Sequence, residues 1–259
     1  MVNTRPDFLT LPERAAKPRR RGITHVLDKG LPIGELDALL QVCGPYIDIW
    51  KFGWGTAYLD PGLGDKIALL GQHGVLACTG GTLLEVAWQQ DVVPAFEDWV
   101  AAMGFPCVEV SSGVVTMTQD EKLALIEQAS NGFTVLGEIG AKDPDVEVAA
   151  SAWALAAAAD LVAGATWIVT EGRESGTVGL FDRSGDVRPE VVASVVDAVG
   201  AESVVFEAPR KDQQAWLIRR FGPDVNLGNV APAEVLGLEA LRLGLRADTV
   251  ASTSRSGRR

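Results

Sequence analysis

Thr134-Val135-Leu136-Gly137-Glu138-Ile139 is a short, β-rich and almost wholly apolar run with one carboxylate near its C-terminal end. A run of this kind reads as a parallel strand covered on both faces, because a half-exposed strand would alternate polar and apolar residues. The carboxylate inside it is informative, since a buried charge left unpaired is costly. Similar runs fall at 23–28, 47–53, 75–79, 107–111, 167–170, 204–207 and 225–227. Helical stretches separate them, at 34–42, 64–72, 82–103, 119–129, 146–162, 189–199, 213–221 and 233–242. Many of these close on a glycine, such as Gly44 or Gly104, which can take the left-handed conformation at a helix C-terminus.

Eight strands alternating with eight helices predict an α/β fold closed as a single (β/α)8 TIM barrel. A chain of 259 residues fits one such barrel, and no long Gly/Ser/Pro-rich linker divides it. The expected organisation is a flexible N-terminal arm over 1–17, the barrel over 18–249 and a disordered basic tail over 250–259. Lys17-Pro18-Arg19-Arg20-Arg21 reads as a solvated lead into the first strand. The main rival is an open doubly wound sheet, but no Gly-rich dinucleotide fingerprint follows the first strand.

Composition excludes several classes. A formal net charge of −11 argues against nucleic acid as a partner, because phosphate backbones need a basic surface. The same acidity means that anionic substrates require a local cluster of Lys, Arg or metal. No apolar stretch reaches the roughly 20 residues of a membrane span, and the most apolar one, 149–165, is interrupted by Trp153 and Asp160. Cys43, Cys78 and Cys107 are scattered among apolar residues and read as buried, reduced thiols. The first twenty residues are polar and rich in Pro and Arg, unlike a secretory signal, so a cytoplasmic enzyme is expected.

Barrel chemistry sits at the C-terminal ends of the strands and in the loops that follow. Those positions carry Asp28-Lys29-Gly30, Lys51, Gly80-Gly81-Thr82 with Glu85, Glu109 with Ser111, Glu138 with Lys142, Glu171 through Gly176, Glu207 with Arg210, and Asn226 through Asn229. Polar groups repeated inside apolar strands predict an active site at this rim. Each also has a structural reading: Asp28 could cap its loop, and Glu109 and Glu207 could pair with Lys51 or Arg173. Gly80-Gly81-Thr82 opens a helix whose free N–H groups could hold a phosphate or carboxylate, or could simply form a turn and cap. Gly228-Asn229 lies where barrels often place a phosphate. His25, mid-strand, and His73, near a helix end, offer no catalytic arrangement.

The strings Lys51-Phe52-Gly53-Trp54-Gly55-Thr56 and Glu171-Gly172-Arg173-Glu174-Ser175-Gly176 resemble the phosphosulfolactate synthase family. So do Asp28-Lys29-Gly30, Glu109-Val110-Ser111, Glu138-Ile139-Gly140, Phe206-Glu207-Ala208-Pro209 and Val225-Asn226-Leu227-Gly228-Asn229, and the likeness runs from about 18 to 249. The resemblance implies a Mg2+-dependent homo-oligomeric enzyme that adds sulfite to phosphoenolpyruvate, an early step toward coenzyme M or sulfolactate. It implies Lys142 as the general acid, with Arg173 and Lys51 clamping the anionic groups. Glu138 and Glu171 would face the metal, and Gly80, Gly81, Thr82, Ser111, Gly228 and Asn229 would bind substrate. Two positions depart from the family pattern: Ser112 and Ala141 stand where a carboxylate and a lysine are common. The alternatives are a relative using another nucleophile, or a non-catalytic relative akin to plant heat-stress-associated proteins.

Overall fold

In the computed structural model, which describes residues 8–140 and 148–250, each apolar run pairs in parallel with its neighbours. The strands are β1 (Thr24–Asp28), β2 (Ile49–Phe52), β3 (Leu76–Thr79), β4 (Cys107–Val110), β5 (Thr134–Ile139), β6 (Trp167–Thr170), β7 (Val204–Glu207) and β8 (Asn226–Val230). β8 returns to pair with β1, which closes a barrel in sequential strand order. Closure satisfies the edge N–H and C=O groups that an open sheet would expose, and it removes the open-sheet alternative.

The helices are α1 (Ile33–Cys43), α2 (Thr56–Leu59), α3 (Leu63–Gln72), α4 (Gly81–Gln89), α5 (Val93–Met103), α6 (Gln119–Ser130), α7 (Ala150–Val162), α8 (Pro189–Val199), α9 (Lys211–Phe221) and α10 (Val235–Arg242). The predicted helix over 82–103 is two helices. Asp91 is left-handed (φ 57) and Pro94 sits in the first turn of α5, where its missing N–H costs nothing. Gly104 ends α5 in the left-handed region (φ 81), as expected, whereas Gly44 has φ −50 and continues with Pro45 into a 3-10 turn.

Side chains alternate along each strand and so sort into two sets. Val26, Trp50, Phe52, Val108, Val110, Val135, Ile168 and Phe206 belong to the large core shared with the helices. Ile23, Ile49, Cys78, Cys107, Leu136, Val169 and Val205 form a separate apolar cluster that fills the barrel interior. Two residues beyond five of these, at Lys51, Glu109, Glu138, Glu171 and Glu207, the inward set turns charged. The interior is therefore sealed with apolar side chains at its base and charged at its C-terminal mouth.

Part of the stretch expected as a solvated arm is tied to the opposite, N-terminal face. Lys17 Nζ donates to the carbonyls of Gly44 (3.1 Å), Ile47 (2.5 Å) and His73 (3.0 Å). Gly44 and His73 lie at helix C-termini, where carbonyls lack helical partners and a cation is favoured. Arg14 pairs with Asp224 (2.6 Å) and Glu239 (3.1 Å), and Arg19 with Asp48 (3.0 Å). All three cysteines are buried and free. No helix among the described residues is long and apolar enough to cross a membrane.

Candidate active site

Lys51, on β2, reaches across the mouth of the barrel. Its Nζ stands 2.8 Å from Glu109 Oε2 on β4 and 2.9 Å from Glu207 Oε1 on β7. All three side chains are almost completely buried, and the second oxygen of each acid is also engaged. Glu109 Oε1 accepts the Gly81 N–H (2.9 Å), and Glu207 Oε2 accepts the Gly172 N–H (3.0 Å). The pairing of Lys51 with both acids is thus real, and it forms the floor of a cavity of about 290 Å³.

Among the described residues, the carboxylates of this floor outnumber its ammonium. Burial works against the Lys51 ammonium, but Glu109, Glu207 and Glu138 outweigh it and hold the lysine well above its ordinary pKa. Burial and the neighbouring Glu138 and Glu207 push Glu109 up to about 7 against the pull of Lys51. Glu207 is raised by burial and by Glu138. Among the described residues, this floor sets one ammonium beside three carboxylates, an arrangement that suits a proton or a cation.

Glu109, Glu138 and Glu207 each offer an oxygen within 4.8 Å of the other two, so these three buried acids could hold a metal ion. Opposite ligands of Mg2+ stand roughly 4.2 Å apart and are usually oxygens; this donor set fits such an ion, shared with Lys51. Of the two acids expected to face a metal, Glu138 belongs to this group. Glu171 lines the same cavity outside the trio, with Oε1 accepting the Arg173 N–H at 2.7 Å. Lys142 and Ala141 lie outside the described residues.

Gly80, Gly81 and Thr82 line the cavity, and neither glycine has room for a side chain. A Cβ on Gly80 would stand 2.9 Å from the Phe52 carbonyl oxygen, and one on Gly81 would stand 2.8 Å from Ser111 Cβ. The Gly81 N–H, a candidate for anion binding, is spent on Glu109. Ser111 is buried behind the cavity wall and donates to Glu85, which also accepts the Val114 (2.6 Å) and Val115 (3.0 Å) N–H groups. Gly228 packs between His25 and Val205, while Asn229 reaches the cavity. Arg173 lies exposed at its mouth.

Among the described residues, four that are not glycine have positive φ, and three of them, Trp54 (φ 55), Arg173 (φ 51) and Asn229 (φ 53), line this cavity. Left-handed backbone is uncommon outside glycine and concentrates at functional sites. Asp28 does cap its loop, accepting the Gly30 (2.8 Å) and Leu31 (2.7 Å) N–H groups and the Trp50 indole (3.0 Å).

A closed parallel barrel with a buried lysine–carboxylate cluster at the C-terminal mouth, fringed by strained backbone, defines a (β/α)8-barrel enzyme. Solved structures show the same fold at low identity: 3-hexulose-6-phosphate synthase superposes with TM-score 0.53 at 14% identity, covering 85% of this chain and 98% of that one. The family described as (2R)-phospho-3-sulfolactate synthase (ComA) matches residues 12–248. The phosphosulfolactate synthase of Methanothermobacter thermautotrophicus is 40% identical over 94% of this chain and 96% of its own length. That of Bacillus subtilis is 39% identical, over 94% and 98%. The Arabidopsis thaliana protein HEAT-STRESS-ASSOCIATED 32 is more distant, at 26% over 93% and 94%. The chain belongs to the phosphosulfolactate synthase family and is an enzyme of the C–S lyase type.

Proposed function

We propose that this enzyme adds sulfite to C3 of phosphoenolpyruvate in a Mg2+-dependent reaction, with protonation at C2, giving (2R)-2-O-phospho-3-sulfolactate. The observation that carries the reading is the Lys51–Glu109–Glu138–Glu207 cluster beneath a cavity in a chain of this family. In the reaction the sulfite sulfur lone pair forms the C–S bond at C3. The C2–C3 π pair moves onto C2 and its carboxylate, and a proton is delivered to C2, while the C–O–P linkage stays intact.

Lys51 is held so firmly protonated that it acts as a fixed positive charge for the developing carboxylate rather than as the proton donor. The proton is then assigned to Lys142, on the strength of the family motif alone. Arg173, at the cavity mouth, suits bidentate contact with an oxyanion. Bound Mg2+ would supply Lewis-acid stabilisation of substrate charge, with Glu109, Glu138 and Glu207 as its holders. The family relationship also supports a cytoplasmic homo-oligomer.

Incubation with phosphoenolpyruvate, sulfite and Mg2+, followed by mass spectrometry, is expected to yield the phosphosulfolactate adduct. No adduct with any divalent metal would overturn the reading. Lys142→Ala is expected to abolish turnover while leaving the circular dichroism spectrum unchanged, and full retained activity would remove its role as the acid.

A further inference from the structure

Among the described residues, Glu109, Glu138, Glu171, Glu174 and Glu207 line the cavity above the cluster together with two cations, Lys51 and Arg173. Lys51 is already divided between two acids. A second cavity of about 410 Å³ adjoins it between the ends of β1, β7 and β8, and the two share Leu27, Glu174 and Asn229 as lining.

Two groups in this second cavity have unused binding capacity. Lys29 is exposed there, forms no ion pair among the described residues, and rests with Nζ 5.7 Å from the centre of the Trp54 ring. That ring attracts the ammonium and limits where it can swing. The loop beneath it is fixed, because buried Asp28 binds the N–H groups of the next two non-neighbouring positions, Gly30 and Leu31. Asn229, only 5% exposed, sits where the two cavities meet, and its Oδ1 is buried without a partner. Turning the carboxamide about its last torsion exchanges oxygen for NH2 donors, so it can serve an anion.

We propose that the cavity between β1, β7 and β8 is an oxyanion subsite, with Lys29 supplying charge and Asn229 a neutral donor. Its ligand is one oxyanion, either the tetrahedral phosphate group or pyramidal sulfite. Assignment to a substrate rests on the function proposed above; binding of the free anion does not.

The test titrates inorganic phosphate, and separately sulfite, into the full chain by calorimetry. Lys29→Ala is expected to weaken one of these anions about tenfold, the weight of a charge-assisted contact. Lys29→Arg should keep most of the affinity. Asn229→Gly, which preserves the left-handed backbone, should weaken the same anion, and Glu174→Gln should tighten it. In turnover, a rise confined to the KM for phosphoenolpyruvate assigns the phosphate, and one confined to the KM for sulfite assigns the nucleophile. The subsite is refuted if wild type binds neither anion, or if Lys29→Ala changes neither affinity by more than about twofold. Lys29-dependent anion binding without phosphosulfolactate formation would sink the proposed function and leave the subsite standing.

Discussion

Lys122, on α6, donates from Nζ to the main-chain carbonyl of Glu138 at 2.7 Å and so braces the strand that carries an acid of the candidate metal trio. The same ammonium pairs with Asp160 of α7, and both side chains are at most 1% exposed. Gly137 makes room for the contact, since a Cβ there would lie 2.7 Å from Asp160 Oδ2. In a pair this deep, Coulomb attraction and desolvation largely offset each other, but loss of one partner strands a buried charge.

Lys122→Met is therefore expected to lower stability by about 3–5 kcal/mol. Adding Asp160→Leu should recover most of that loss, because it removes the stranded carboxylate. Urea denaturation of the single and double variants measures both effects. A single-variant loss below about 1 kcal/mol would show that the pair is effectively solvated.

Lys51 makes a different prediction, because its partners belong to the candidate metal trio. Without it, Glu109 and Glu207 lose their shared ammonium beside Glu138. Lys51→Met is expected to reduce kcat/KM at least about 100-fold, the usual scale for losing one preorganised electrostatic group. Lys51→Arg should not rescue it, since a planar fork cannot replace a compact ammonium between two acids. Steady-state kinetics of both variants would decide. Near-normal turnover in Lys51→Met would restrict the lysine to a packing role.

The acids separate by their response to metal alone. Glu138→Gln is expected to weaken Mg2+ or Mn2+ binding to the substrate-free protein by about 10–100-fold. Glu171→Gln should weaken it much less, because Glu171 lies outside the trio and turns one oxygen to the Arg173 N–H. Calorimetry with the metal as the only ligand reads both. Equal losses would place Glu171 among the ligands and dissolve the trio.

Why the sequence reads so well at the level of the barrel follows from its strands. Pairs such as Leu136 and Glu138 or Val205 and Glu207 place an apolar residue in the sealed base and an acid at the mouth, so alternation alone identifies inward positions. Linear spacing does not reveal which inward residues meet across the mouth. Glu109 and Glu207 could therefore be read as structural partners of Lys51 or Arg173, whereas the closed barrel sets them on Lys51 and brings Glu138 to them. Ser111 reads as a substrate contact for a similar reason: nothing in the linear order shows that Glu85 of α4 reaches behind the wall to bind it. The break between α4 and α5 was open to a local reading, because Pro94 belongs in a first helical turn.

His25 supplies a test of stability against pH. It is fully buried on β1, and neither ring nitrogen has a hydrogen-bond partner among the described residues. Burial, and then Lys51, holds its pKa well below the ordinary histidine value. Below about pH 6.5 the unfolded chain binds a proton at this position that the native state does not, so native stability falls with pH. The limiting slope is about 1.4 kcal/mol per pH unit. Glu109 acts with the opposite sign: its native pKa is raised to about 7, so over that window the native state holds the extra proton and gains stability as pH falls. The total profile mixes the two, but the difference between wild type and His25→Phe isolates the histidine. That difference should shift against wild type by about 1.2 kcal/mol between pH 6 and pH 5. A flat difference, measured by urea denaturation at each pH, would mean that His25 takes up its proton in the native state.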